Sequence, residues 1–317
     1  MKKNFINKNR YLKIFNVRFV FIFTIITLLS PLHYSKANQI FQKSSSLSHS
    51  EVFQGDLIKK LNIQSFNTAE ELFVFTTYEV KDNAMKTAYY KALLKKFYNH
   101  PQARRWCALT SINLAMLYID DNRRPTPQNT RLALENLELI AKSYPEEKEY
   151  CARSLWLCGW IYQDILNDFE NARPYYEKVI QEYRTIPSNN GSESSWGAIS
   201  ALQILKMSPK EVLKEKLDEM LLLFGSDIAA TYAIHYSMET LSDSDFINIA
   251  LIHMHNGYHH AVKTSQIIYR AYTLCSDDKT KNKFKNFILD KFKDFPTIEV
   301  KKIITAVSNE NKGVQND

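Results

Sequence analysis

"CARSLWLCGWIYQDILNDFENARPYYEKVIQEYR" (Cys151–Arg184) holds two apolar-striped segments with a short polar break between them and a Gly-Trp pair inside the first. Apolar residues recur every three or four positions on both sides of the break, the period of amphipathic helices. The stretch also recurs. "CALTSINLAMLY" (107–118) overlays "CARSLWLCGWIY" (151–162), with Cys107 on Cys151, Ala108 on Ala152, Ala115 on Gly159 and Tyr118 on Tyr162. The segments that follow overlay as well: Ala133, Leu137, Ile140 and Tyr144 fall on Ala172, Tyr176, Val179 and Tyr183. The first copy carries the longer loop, "DDNRRPTPQN". A third second-helix copy, "YYKALLKKFYNHP" (89–101), overlays "YYEKVIQEYRTIP" (175–187).

The unit is therefore helix, turn, helix, with a period of about 40 residues, and such units bury their apolar faces only by stacking on one another. Gly inside a helix costs up to about 1 kcal/mol relative to Ala. Its compensation here is close approach of the second helix of the pair, and Ala115 plays the same part in the preceding copy.

Cys158-Gly159, Tyr162, Phe169, Ala172, Tyr176 and Val179 follow the large-small, aromatic, Ala, aromatic, small order that resembles the tetratricopeptide repeat. The pattern covers about residues 84–187. It departs from the family in one extra residue between Gly159 and Ala172 and in Val179, where the family has Ala. The Ala, aromatic, aliphatic, Tyr second helices also resemble bacterial envelope proteins of that family, including outer-membrane-assembly factors. The resemblance implies an all-α fold, a short right-handed α-solenoid of tetratricopeptide-like repeats, and peptide binding along the face made by the first helices. On this chain that face carries Arg153, Trp156, Trp160, Gln163 and Asp164, continued by Leu109, Ile112, Met116 and Ile119. Trp and Arg are the anchors that interfaces favour. The competing reading has both Trp side chains buried against the adjoining helix or the C-terminal segment.

Composition agrees with long helices: 317 residues contain only 7 Gly and 9 Pro, and 45% are hydrophobic. The net charge of +7 sits in the N-terminal stretch. Residues 1–37 contribute Lys2, Lys3, Lys8, Arg10, Lys13, Arg18 and Lys36 and no acidic residue, so the remainder of the chain is balanced, and nucleic acid is not an expected partner. Those residues read as a secretory leader: a basic front, the apolar run "FVFIFTIITLL" (Phe19–Leu29), Pro31, and "SKA" with Ser35 and Ala37 at the cleavage positions. The run is shorter than the roughly 20 residues a membrane span needs. Membrane contact is expected only through an uncleaved leader.

Four cysteines remain: Cys107, Cys151, Cys158 and Cys275. Cys151 and Cys158 lie about 10 Å apart along one helix at about 1.5 Å rise per residue, beyond the ~7 Å a disulfide allows. Cys107 and Cys151 would sit on neighbouring helices with axes about 8–10 Å apart. Free thiols are expected. "HMHNGYHH" (253–260) gathers His253, His255, His259 and His260 near Met254, a candidate soft-metal cluster. Against it, His253 and His255 are two apart and cannot share a helix face, and His259 and His260 would open the next helix. "TAEE" predicts a capping box between Thr68 and Glu71, and "SPKEVLKEKLDEMLLLFG" predicts a helix capped by Ser208, with Glu211 closing a box and Gly225 ending it. Tyr258, Ala261, Ile268 and Tyr272 suggest one worn repeat near the C-terminus.

The expected layout is a leader (1–37), a flexible segment (38–66), the repeats (67–207), a C-terminal helical extension with a degenerate repeat (208–308) and a polar tail (309–317). No phosphate loop, metalloprotease motif, nucleophile elbow or Cys-x-x-Cys pair occurs. The expected function is a non-catalytic exported scaffold, periplasmic or extracellular, binding a protein or peptide partner without a cofactor. The alternatives are metal sequestration by the His cluster and an enzyme with a site between the repeats and the C-terminal helices.

Overall fold

Thirteen α-helices, and no β-strand, make up the regular structure of the described residues, 63–120, 125–188, 194–255 and 260–309 of this computed structural model. They are α1 (Ala69–Tyr78), α2 (Asn83–Phe97), α3 (Arg104–Asp120), α4 (Pro127–Ser143), α5 (Lys148–Trp160), α6 (Phe169–Glu182), α7 (Trp196–Met207), α8 (Leu213–Phe224), α9 (Ile228–Ser237), α10 (Asp243–His255), α11 (Ala261–Leu274), α12 (Asp278–Phe292) and α13 (Ile298–Asn309). The leader, residues 38–62, part of the loop before α4, Asn256 to His259 and most of the tail lie outside the described residues. The chain divides into two units, Met1–Leu93 and Leu94–Asp317, the division falling within α2.

In the described part of the first unit, Thr68 accepts from the Glu71 amide while Glu71 reaches back to the Thr68 backbone, so the expected capping box forms. Phe75 lies 5.2 Å from Phe66 and edge-on to Tyr89 at 5.4 Å, and Thr77 hydrogen-bonds Tyr90 at 2.9 Å. These contacts join α1 to the first part of α2.

In the second unit each helix from α3 to α7 packs on the next, and α3 also meets α5 as α5 meets α7. This is the stacked helix–turn–helix arrangement that the recurring pattern predicts. The pattern residues are the packing residues: Ala133, Leu137, Ile140, Ala172, Tyr176 and Val179 have no exposed surface. A Cβ placed on Gly159 would stand 2.8 Å from the Tyr176 ring, so the absent side chain is what lets α6 close on α5. The recurring cysteines have a matching role. Cys107 lies near the Tyr144 hydroxyl and Cys151 near the Tyr183 hydroxyl, and the Cys151 thiol donates to the Tyr144 carbonyl at 3.3 Å. All four cysteines are buried and free.

The extra residue between Gly159 and Ala172 is absorbed by a π-helical turn, Ile161–Ile165, closed by the Leu166 amide on the Ile161 carbonyl at 3.0 Å. One inserted residue converts α spacing to π spacing locally. Asn167 then reverses the chain at φ 54°, a left-handed conformation that Asn tolerates, and Asp168 caps α6.

Beyond α7 the pairing continues with less regular partners. α7 packs on α8 and α9, α9 on α11, and α11 on α10, α12 and α13, around one core that includes Leu205, Leu217, Phe246, Ile268, Phe284 and Ile288. One expected cap is absent. Ser208 turns its hydroxyl back to the Ile204 carbonyl at 2.8 Å, ending α7, and a 3₁₀ turn (Lys210–Val212) precedes α8, which has no side-chain cap. Pro209 in extended backbone separates Ser208 from the first turn, so the hydroxyl cannot serve both helices. Asp227 joins two helix starts: it accepts from the Ser194 hydroxyl (2.6 Å), the Ser195 amide (2.9 Å) and the Ala229 amide (2.9 Å).

Candidate functional site

Helices α5, α7, α9 and α11 turn a line of polar and aromatic side chains to one side of the second unit. Helical spacing puts Arg153, Trp156 and Trp160 on one stripe of α5, Gln203 and Lys206 on α7, Tyr232, His235 and Tyr236 on α9, and Lys263 and Gln266 on α11. The π turn carries Gln163 and Asp164 into the same region.

The residues expected to line a groove differ in their surroundings. Trp156 is half-buried, its ring 5.8 Å from that of Trp196 and packed near Tyr176 and Ile204, and its indole N–H has no acceptor. It is a packing residue between α5 and α7 as much as a surface one. Gln163 is held from both sides, accepting from Tyr176 at 2.9 Å and donating to Gln203 at 3.4 Å. Ile112 has no exposed surface and takes no part in an open face. It shares a stripe with Ala108, Ala115 and Ile119, all buried, because the small residues that draw the neighbouring helices close also enclose the residue between them. Leu109 and Met116 stay half-buried. Arg153, Trp160 and Asp164 retain solvent contact.

Electrostatics follow from this setting. Desolvation pulls the Arg153 guanidinium below its ordinary value, offset in part by Glu149 and then Tyr150, yet no carboxylate forms an ion pair with it among the described residues. Desolvation raises Asp164 above the usual carboxylate range, against a hydrogen bond from Trp160 and the attraction of Lys206. Lys206 is held below the ordinary lysine value by desolvation, with Lys263 adding to the effect and Asp164 opposing it. His235 is likewise lowered, by desolvation first and then by Lys263, while its bond to Gln266 at 3.0 Å opposes. Desolvation with like charges side by side is a pattern that functional surfaces share with structural charge networks.

Other candidates separate. His253 is 3% exposed and shares a 3.3 Å contact with the Thr231 hydroxyl inside the core. His255 bonds the Leu251 carbonyl of its own helix at 2.7 Å, and His260 caps α11 by accepting from the Lys263 amide at 3.3 Å. His259 lies outside the described residues. Among the described residues no three His, Cys, Asp or Glu side chains converge in a way that could hold a metal ion. The Thr231–His253 pair is a hydroxyl beside an imidazole, but both are closed to solvent, so no substrate reaches it. A crevice of about 330 Å³ is bounded by α4, α5 and α6, and its Glu138 is taken up by the Tyr175 hydroxyl. Sequence reading passed over Lys206, His235 and Lys263, since lone basic residues on three helices far apart in the chain carry no local motif.

Among the described residues no helix is long and apolar enough to cross a membrane. No family model matches the chain, and no curated protein matches it. Among solved structures the chain is similar to PilW, described as a widely conserved type IV pilus biogenesis factor, at 12% identity and a TM-score of 0.39, over 76% of this chain and 100% of that one.

Proposed function

We propose that the chain is a non-catalytic scaffold, exported to the periplasm or the cell exterior, that holds a protein or peptide partner along the face of α3, α5 and α7. Arg153 carries the reading: a half-buried guanidinium on the same α5 stripe as Trp156 and Trp160, without an ion-pair partner among the described residues. A partly desolvated charge without a partner gains when a carboxylate or carbonyl from a bound chain pairs with it. Leu109, Met116, Trp160 and Asp164 extend the contact, and Trp156 supports it from behind. Export rests on the leader pattern of residues 1–37.

The test places a photo-crosslinking amino acid at Met116 on this face or at Leu222, 86% exposed on α8, in cells producing the full chain. The expected result is a discrete adduct from position 116 that Arg153→Glu removes. Equal adducts from both positions, or an adduct that ignores Arg153→Glu, would discard the groove.

A further inference from the structure

The second unit sets its charges out unevenly. On α8, Lys214 meets Asp218 at 2.6 Å and Lys216 meets Glu219 at 2.8 Å, so the cations there are neutralised on their own helix. On the side made by α7, α9 and α11, Lys206 and Lys263 have no ion-pair partner among the described residues. The Lys263 ammonium stands 5.2 Å from the centre of the Tyr232 ring, and the His260 ring meets the same tyrosine edge-on at 5.5 Å. Tyr236 is 45% exposed one turn further along α9.

We infer that this face is a binding site for an acidic peptide segment, with Lys206 and Lys263 meeting its carboxylates and Tyr232 and Tyr236 its apolar side chains. The chemistry selects the ligand. Two cations without ion-pair partners among the described residues attract carboxylates, and the exposed Tyr236 ring beside the half-buried Tyr232 favours a ligand that is apolar as well as acidic. A polyphosphate backbone would call for many more cations than two. The inference takes from the scaffold reading only that the ligand is a peptide.

His235 makes the site sensitive to pH. α9 packs against α7, α8 and α11. The groups acting on His235 are Lys263 and His260, with the Gln266 amide, all from α11 and its cap; α7 supplies Lys206 at the same face, and no carboxylate acts on His235. Desolvation and then Lys263 hold its pKa below the ordinary 6.5, so His235 is neutral at pH 7 and gains its proton only below that ordinary value. A bound carboxylate favours the protonated ring. Binding therefore strengthens as pH falls, until the peptide carboxylates themselves protonate near their ordinary value of about 4.3.

The experiment measures fluorescence anisotropy of a short labelled peptide of alternating Glu and Phe against the full chain, with a Gln and Phe peptide beside it. The Glu peptide is expected to bind at least about tenfold tighter than the Gln peptide, and Lys206→Gln with Lys263→Gln is expected to weaken it about tenfold, the product of two modest charge contacts. Affinity is expected to rise severalfold as pH falls below the ordinary histidine value of about 6.5, and His235→Gln to flatten that rise. Circular dichroism of each variant confirms the fold, and Lys206→Arg with Lys263→Arg is expected to restore binding. Equal binding of the two peptides, indifference to the double variant, or displacement by inorganic phosphate or by phosphatidylglycerol vesicles would overturn the inference. If it falls while the position-116 adduct persists, the scaffold reading stands; if the adduct is also absent, both fall.

Discussion

Two glycines in helices do different work, and substitution separates them. At Gly159 an added methyl group meets the outer atoms of the Tyr176 ring at 2.8–3.0 Å, while at Gly197 it meets the backbone of Arg184, at 2.6 Å from the carbonyl oxygen and 2.7 Å from Cα. A ring held by a hydrogen bond to Gln163 can shift a little; a backbone cannot. Gly159→Ala gains up to about 1 kcal/mol in helix propensity and loses about 1–3 kcal/mol to overpacking, a net loss of about 1 kcal/mol. Gly197→Ala has no soft neighbour, and its loss is expected near about 3 kcal/mol, the top of the overpacking range. Urea denaturation of the two variants checks the order; a larger loss at Gly159 would show that the Tyr176 ring is as immobile as backbone. Gly159 was legible in the sequence because Ala115 stands at its counterpart. Gly197 was not, because its neighbour comes from across the loop that follows α6, a contact with no periodic signature.

Helix pairing was legible wherever a second copy existed to compare, and the π turn shows how much a single residue adds. The family spacing exposed one surplus residue after Gly159, but not whether a loop or the helix would take it. The helix took it, because Ile161 is buried and holds the preceding turn in register while Asn167 supplies the reversal. The capping box at Thr68 was readable since its signal is local; Ser208 misled for the same reason, since the local pattern does not show that its hydroxyl turns back to the Ile204 carbonyl. Asp227 was invisible, because its partners at Ser194 and Ser195 come from another loop. It serves α7 and α9 at once. Asp227→Ala is expected to cost about 2 kcal/mol, as for loss of a strong cap, and Asp227→Asn less, since the amide keeps one acceptor oxygen. Thermal melts followed by circular dichroism measure both. An Asn variant as damaged as the Ala variant would mean that charge, rather than the acceptors, holds the two helix starts.

Across the second unit the repeated burial of Cys and Tyr groups ties stability to alkaline pH, as a consequence of the repetition itself. Burial pushes the Cys107 thiol up from 9.0 to about 11 and the Tyr183 hydroxyl up from 10.0 to about 12, and it raises Cys151 and Tyr144 in the same direction. A group whose folded pKa lies above its unfolded value holds its proton more tightly when folded. Its contribution is complete below the unfolded value and is lost as pH rises through the folded one. The window therefore opens near pH 9 and closes near pH 12. A tenfold change in proton affinity is worth about 1.4 kcal/mol, so the rise at Cys107 alone amounts to about 3 kcal/mol. Lys206 and Lys263 work in the opposite sense, since lysines with lowered values favour the fold as pH rises, but both keep solvent contact and their share is small. Helicity is expected to hold to about pH 9 and to fall cooperatively before pH 12, with thiol reactivity toward an aromatic disulfide reagent appearing in step with that fall. Tyr183→Phe removes one of the groups that must ionise, and the midpoint should then move up. Thiols that react fully while helicity is intact would show that the first helices part from their partners without unfolding, and that the Cys–Tyr contacts are not what the alkaline transition breaks.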